Sequence, residues 1–204
     1  MKTERSRIYF YATPRANEIL YSGISFEEFI EHLQPPIENI ILLKADYVGE
    51  KCFHNFELLE GSGDIENFTH EDIYNFGDFC FVDYAGDTVA SLNKQQIAEL
   101  LFVSHMFEPL NSPFFDVLGN RFVYLSHDDG YYCKLFCRDI LDPIKVILCK
   151  IQSRMQDSID ISSDFSDGIC GELQKIASNG ILVDLDEITF VQNTASIPLV
   201  LNIH

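Results

Sequence analysis

The sequence contains no tryptophan, three methionines and only 14 lysine and arginine residues, against 32 aspartate and glutamate residues. This shortage of basic residues leaves a formal net charge of −18 at pH 7. Because a field of that sign repels the phosphate backbone, direct binding to nucleic acid is disfavoured. The same field attracts a basic protein surface, which is therefore the class of partner that the composition favours.

Long apolar runs are also missing. The longest candidates, "IILL" at 40–43 and "IPLVLNI" at 197–203, have the length of strands, whereas a membrane span needs about 18 apolar residues. The apolar run after the basic N-terminus, 8–12, is too short for a signal peptide and is followed by Pro14. We therefore expect a cytoplasmic chain that has no membrane partner.

The six cysteines are an even number, so a disulfide framework has to be considered. Cys80, Cys149 and Cys170 each lie next to apolar residues, and the sequence shows no export signal. In a reducing cytosol such cysteines act as small core residues. We expect packing, not bridging, from them.

Motifs of common enzymes are absent too. We find no glycine-rich phosphate loop, no dinucleotide fingerprint and no nucleophilic serine flanked by glycines, and we expect no cofactor. Because catalytic residues can be scattered along a chain, an enzyme stays an open alternative.

What the sequence does contain is a strongly uneven charge. Residues 17–120 hold nineteen acidic residues against three lysines, a net charge of −16, whereas residues 121–154 have a net charge of +2. The acidic part favours a non-catalytic binding protein, of the inhibitor or immunity type, whose carboxylates engage a basic partner. The basic part favours an alternative, a small enzyme or ligand-binding domain that recognises an anionic small molecule.

The hydrophobic pattern predicts hairpins mixed with helices. Strands are expected in 7–12, 38–48, 77–85 and three segments of the tail, with a weaker candidate in 52–59, and helices after Ser25, Ser91, Asp142 and Asp167. This order favours an α+β fold, with a mixed or antiparallel sheet built from hairpins and about four helices packed on it. We expect a single domain, 1–204, with a soft boundary in the polar linker 156–167.

Three local expectations concern the helices. Ser25 and Glu28 fit a capping box. The segment 60–78 is acidic and punctuated by glycine, so it is predicted as surface loop with at most a short helix from Thr69. The helix of 91–108 is expected to be capped by Ser91 and, because 97–107 is mostly apolar, to be buried on most of its circumference.

The segment "SHDDGYYCKLFCRD", 126–139, combines residue types that build zinc and thiol sites. Asp129-Gly130 between two aromatic-rich runs predicts a two-residue hairpin turn within 121–138. On a strand, Cys133 and Cys137 then lie about 13 Å apart, too far to share one zinc ion. We therefore predict no metal site here.

The predicted register makes Arg121 and Arg138 opposite neighbours, which is unfavourable unless an anion or an acidic side chain lies between them. On the same face it places His127 and Lys134. The ligand-binding residues predicted for an anionic or carboxylate partner are therefore Arg121, His127, Lys134 and Arg138. Their alternative partners are the chain's own abundant carboxylates.

Overall fold

The computed structural model describes residues 7–44, 52–54, 56–70, 78–128, 130–155, 167–191, 194–197 and 199–201. They form twelve β-strands and five α-helices: β1 (Arg7–Thr13), β2 (Glu18–Ser22), α1 (Phe26–His32), β3 (Asn39–Lys44), β4 (Cys52–Phe53), β5 (Phe56–Glu60), α2 (Gly61–His70), β6 (Phe79–Tyr84), α3 (Lys94–Val103), β7 (Phe122–His127), β8 (Tyr132–Cys137), α4 (Leu141–Met155), α5 (Asp167–Ala177), β9 (Ile181–Asp184), β10 (Thr189–Val191), β11 (Thr194–Ser196) and β12 (Leu199–Leu201). Antiparallel sheet and helices are mixed along the chain, which confirms the predicted α+β fold.

The chain divides into two compact units, the first made of Met1–Gln34 with Asp139–His204 and the second of Pro35–Arg138. The single domain 1–204 stays a prediction. Of the predicted boundary in 156–167, all but the last residue lies outside the described residues.

In the first unit, four antiparallel strands lie in the order β12, β9, β1, β2. Strand β1 buries Ile8, Phe10 and Ala12 on one side, as the alternation of apolar residues requires. Helix α5 packs on β1, and α4 packs against α1 and α5. Strands β10 and β11 form a separate pair.

An ion pair joins α1 to α4 in this unit. The predicted capping box is confirmed: the Ser25 hydroxyl accepts from Glu28 N at 3.2 Å, and Glu28 Oε2 accepts from Ser25 N at 2.9 Å. The other oxygen of Glu28 contacts the ammonium group of Lys150, whose side chain is only 9% exposed. One carboxylate therefore caps α1 and neutralises a buried cation on α4.

In the second unit, six antiparallel strands lie in the order β8, β7, β6, β3, β5, β4. One face of this sheet packs against Leu100 and Val103 of α3 and against Phe115 and Leu118. The other face carries a stack of rings, with the Tyr124 centroid 4.9 Å from that of Phe81. Both faces of the central strands are therefore buried.

The prediction of a loop in 60–78 is wrong for its first half, where residues 61–70 form α2. Gly61 adopts a positive φ of +81°, and its N–H donates to Glu38 O at 2.9 Å, which starts the helix directly after β5. Ile65 and Phe68, three residues apart, are buried on one side of α2. Residues 71–77 lie outside the described part of the chain.

Two expectations about α3 are also wrong. Its cap is Asn93, whose side chain accepts from the N–H groups of Gln95 and Gln96, because Ser91 ends a short 3-10 helix. The helix ends at Val103, and most of its circumference is not buried: its buried residues are Leu100 and Val103, and Leu101 is 44% exposed. Its buried side is narrow because only one side of α3 faces the sheet.

A membrane-spanning helix would need a longer apolar stretch than any helix in the described part of the chain provides.

Candidate functional site

The predicted hairpin and its register are confirmed in β7 and β8. Val123 pairs with Phe136, and His127 pairs with Tyr132. At the open end, Arg138 N donates to Arg121 O at 2.9 Å. At the turn, Tyr131 N donates to Asp128 O at 3.0 Å, and Gly130 has a positive φ of +75°. The turn chemistry of this segment therefore fixed the pairing of every residue in the hairpin.

The hairpin face that carries the predicted ligand-binding residues is buried in its middle. Val123 and Leu125 are at most 1% exposed, and Phe136 packs with them in the core under α3. Only the two ends of this face and the head of Lys134 reach the surface. The four predicted residues are therefore not spread over one open surface.

Arg138 lies at the open end and contacts three groups of the second unit. Its Nε donates to Asn120 O at 2.6 Å, its Nη2 lies 3.6 Å from Asp116 Oδ1, and its guanidinium lies 5.0 Å from the centroid of the Phe114 ring. One of these groups, Asp116, is a carboxylate of the protein itself, the alternative partner expected for the predicted cations.

Arg121, opposite Arg138, extends in another direction. Its Nη1 donates to Pro35 O at 2.6 Å, and its guanidinium lies 5.0 Å from the centre of the neighbouring Phe122 ring. The two arginines therefore reach different acceptors, which relieves the repulsion expected between directly opposed cations.

Lys134 and His127 lie farther toward the turn. Lys134 Nζ is 2.5 Å from Glu108 Oε1, with the lysine side chain 17% and the glutamate side chain 74% exposed. The same hydrogen bond lowers the pKa of Glu108 below its ordinary value. The His127 ring stacks on Tyr132, with ring centroids 4.9 Å apart. Six residues of strand separate His127 from Arg121, about 20 Å, so the structure does not bring these two together.

Sequence reasoning missed the residue on which the hairpin is anchored, Asp83 of β6. This carboxylate is buried and accepts three short contacts from backbone N–H groups, from Arg121 at 3.0 and 3.1 Å and from Phe122 at 2.6 Å. Burial raises the pKa of Asp83 from 3.8 to about 6, against the lowering effect of these hydrogen bonds and of the Arg121 charge. A charged residue inside the apolar strand "FCFVDY" was the signal that could have identified it.

Asn120 was also missed. Its side chain is fully buried, with Oδ1 accepting from Phe115 N at 2.7 Å and Nδ2 donating to the carbonyls of Pro113 and Phe122. Its own carbonyl holds Arg138. Asn120 and Asp83 together fix the start of β7, and with it the position of both arginines.

The cysteines of the hairpin have packing roles. Cys133 and Cys137 are buried on β8, and Cys133 Sγ lies 3.0 Å from the hydroxyl of Tyr124. Across the described ranges, no group of three or more histidine, cysteine, aspartate or glutamate side chains could hold a metal ion.

No protein-family model matches the chain, and neither does any curated protein or any solved structure. An α+β fold hosts many unrelated functions, so the fold alone does not indicate one. Function has to be inferred from the charges of the chain and the contacts of its side chains.

Proposed function

We propose that the chain is a non-catalytic acidic binding protein, of the inhibitor or immunity type, whose carboxylates engage a basic surface of a partner protein. The observation that carries the proposal is the distribution of charge in the second unit. Cations of the hairpin contact acceptors of the protein itself, while carboxylates stay in contact with solvent. The surface offered to a partner is therefore acidic.

The count of charged residues in the second unit supports an acidic binding surface. The second unit holds seventeen acidic residues against six basic ones, a net charge of −11. Six of its described acidic residues are exposed: Glu38, Glu60, Glu66, Glu108, Asp116 and Asp128. Such a field accelerates encounter with a cationic surface and opposes encounter with nucleic acid.

The alternative proposal is recognition of an anionic small molecule through the hairpin. Binding of such a ligand would have a higher free-energy cost than binding of a basic protein. Lys134 would have to exchange its contact with Glu108, and Arg138 its contact with Asp116, for contacts with the ligand. An anion would also have to approach a unit of strong negative charge. Both considerations favour the protein partner.

Capture from the native lysate on the immobilised full chain tests the proposal, with an unrelated protein of similar negative charge as the control. We expect a basic protein that is retained by this chain and not by the control. Once purified, its Kd should weaken at least about tenfold between about 0.05 M and about 0.5 M NaCl, because screening shortens the reach of the acidic field. Failure to capture any protein at low salt, or a Kd that does not respond to salt, would contradict the proposal.

A further inference from the structure

Apolar side chains lie exposed at the end of α3 and just after it, in the more acidic of the two units. Phe107 is 54% exposed, Leu110 is 64% exposed and Leu101 is 44% exposed. Buried residues Leu100 and Val103 fill the other side of the helix. We call the exposed group, with Glu99 and Glu108 at its border, the α3 patch.

Phe107, at the centre of the α3 patch in sequence, lies beside two rings at the end of α3. The Phe107 ring centroid lies 5.0 Å from that of Phe102 and 6.3 Å from that of His105. Within α3, Phe102 is the surface neighbour of Glu99, three residues before it. Phe107 therefore lies beside the part of the helix surface that carries Phe102 and Glu99.

The segment after α3 is held in this place by hydrogen bonds. Met106, with a positive φ of +63°, turns the chain back, and its N–H donates to Val103 O at 2.8 Å. Asn111 donates from its side chain to Glu99, which ties the residue after Leu110 to the helix. Binding at the patch would consequently cost little conformational entropy, because its anchors are already ordered.

The border of the patch is acidic. Glu108, directly after Phe107, is 74% exposed and ionised at neutral pH, and the hydrogen bond from Lys134 holds its pKa below the ordinary value. Ordered aromatic and aliphatic anchors surrounded by polar groups are the arrangement found at the centres of protein interfaces. The sign of the border and the net charge of −11 select a partner with lysine or arginine beside its own apolar side chains.

We infer that the α3 patch is the docking surface for a basic, amphipathic segment of a partner protein, which inserts apolar side chains around Phe107 and places cations against Glu99 and Glu108. This inference rests on the proposed function and specifies where and how the partner is recognised.

Three labelled peptides of equal length test it by fluorescence anisotropy with the full chain. One alternates a lysine face with a leucine face, one replaces its leucines by serine, and one replaces its lysines by glutamate. We expect the lysine–leucine peptide to bind at least about tenfold more tightly than either of the others, since apolar anchors and charge are both required.

Variants then locate the site. Phe107→Ser and Leu110→Ser should each weaken binding of the lysine–leucine peptide at least about fivefold. Both positions are exposed, so the fold should be retained, which circular dichroism and thermal melting would check. Val200→Ser is the matched control, because Val200 is 61% exposed and belongs to the first unit. This control should bind as the wild type does.

The remaining outcomes separate the two proposals. If the lysine–serine peptide binds as tightly as the lysine–leucine peptide and Phe107→Ser has no effect, the docking surface is wrong while charge-based recognition stands. If the glutamate–leucine peptide binds as tightly as the lysine–leucine peptide, both proposals are wrong. Should sedimentation velocity of the chain alone show a dimer that Phe107→Ser dissociates, the occupant is a second copy and the basic partner is overturned.

Discussion

The two units of the chain stabilise a carboxylate in different ways, a partly buried one in the first unit and a buried one in the second. In the first unit, Glu28 has a cation at one oxygen, Lys150, and a backbone N–H at the other. In the second unit, Asp83 accepts from the backbone N–H groups of Arg121 and Phe122, and the charge of Arg121 also acts on it. A cation neutralises a buried charge, whereas amides solvate it and leave it dependent on pH.

Breaking the ion pair of the first unit should have the largest effect. Lys150→Met leaves Glu28 in a partly buried site without its cation, so we expect a loss of about 3 kcal/mol in the free energy of unfolding. The double variant Lys150→Met with Glu28→Gln should recover part of that loss, because glutamine keeps the capping box and carries no charge. Urea unfolding of the four members of this cycle measures both effects. Equal losses in the single and double variants would show that the lysine acts through packing alone.

The carboxylate of the second unit, Asp83, should instead make the free energy of unfolding depend on pH. Its folded pKa, about 6, lies above the ordinary value of 3.8, so protons leave the unfolded state first as pH rises. The stability contributed by the protonated form is fully present below about pH 4 and is lost as pH rises through about 6, up to about 3 kcal/mol in all. Asp83→Asn removes this dependence, so the stability difference between wild type and variant should shift by that amount between pH 4 and pH 7.

Denaturant unfolding at both pH values measures the shift, and the carbon-13 chemical shift of the Asp83 carboxyl gives the midpoint directly. A difference between wild type and Asp83→Asn that stays constant over this range would mean that the hydrogen bonds from Arg121 and Phe122 outweigh burial. The contrast between the two units would then disappear.

Features of the fold that depend on local sequence signals could be predicted. The hairpin was predicted down to its register because the signals were local: Asp129-Gly130 supplies the turn, and alternation on each side supplies the faces. The capping box of Ser25 and Glu28 is equally local. Helix α2 was missed because Gly61 and Gly63 dominate its first turn, while its apolar signal is limited to Ile65 and Phe68.

The polar contacts around the predicted site were out of reach for a different reason. Asp83 meets the N–H groups of Arg121 and Phe122 across 38 and 39 residues of chain, and Glu28 meets Lys150 across 122. No spacing rule links positions so far apart in the sequence. The composition therefore shows that carboxylates are abundant, but it does not predict which group each carboxylate contacts. Ligand binding remains a prediction for four residues whose contacts in the protein are now known: Arg121, His127, Lys134 and Arg138.

The role of Arg121 offers a finer test of the Asp83 environment. Its positive charge lowers the pKa of Asp83, so Arg121→Gln should raise the midpoint of the Asp83 titration further. The effect on stability at neutral pH should be below about 1 kcal/mol, because Arg121 is only partly buried and solvent screens its charge. Carbon-13 titration of wild type and variant checks this, with Arg138→Gln as the control. A midpoint that moves equally in both variants would assign the effect to the general field of the unit.

The smallest effect is expected where an ion pair lies at the surface. Lys134 and Glu108 form the exposed counterpart of Lys150 and Glu28, with the Glu108 side chain 74% exposed instead of 26%. Lys134→Met removes the ammonium group, which pairs with Glu108 and lies 5.3 Å from the centre of the Phe136 ring, so the loss of stability should stay below about 1 kcal/mol and shrink in high salt. A loss comparable with that of Lys150→Met would mean that this pair is as strongly held as the buried one. Glu108 would then be committed to the hairpin, and the α3 patch would lose the acidic residue that selects a basic partner.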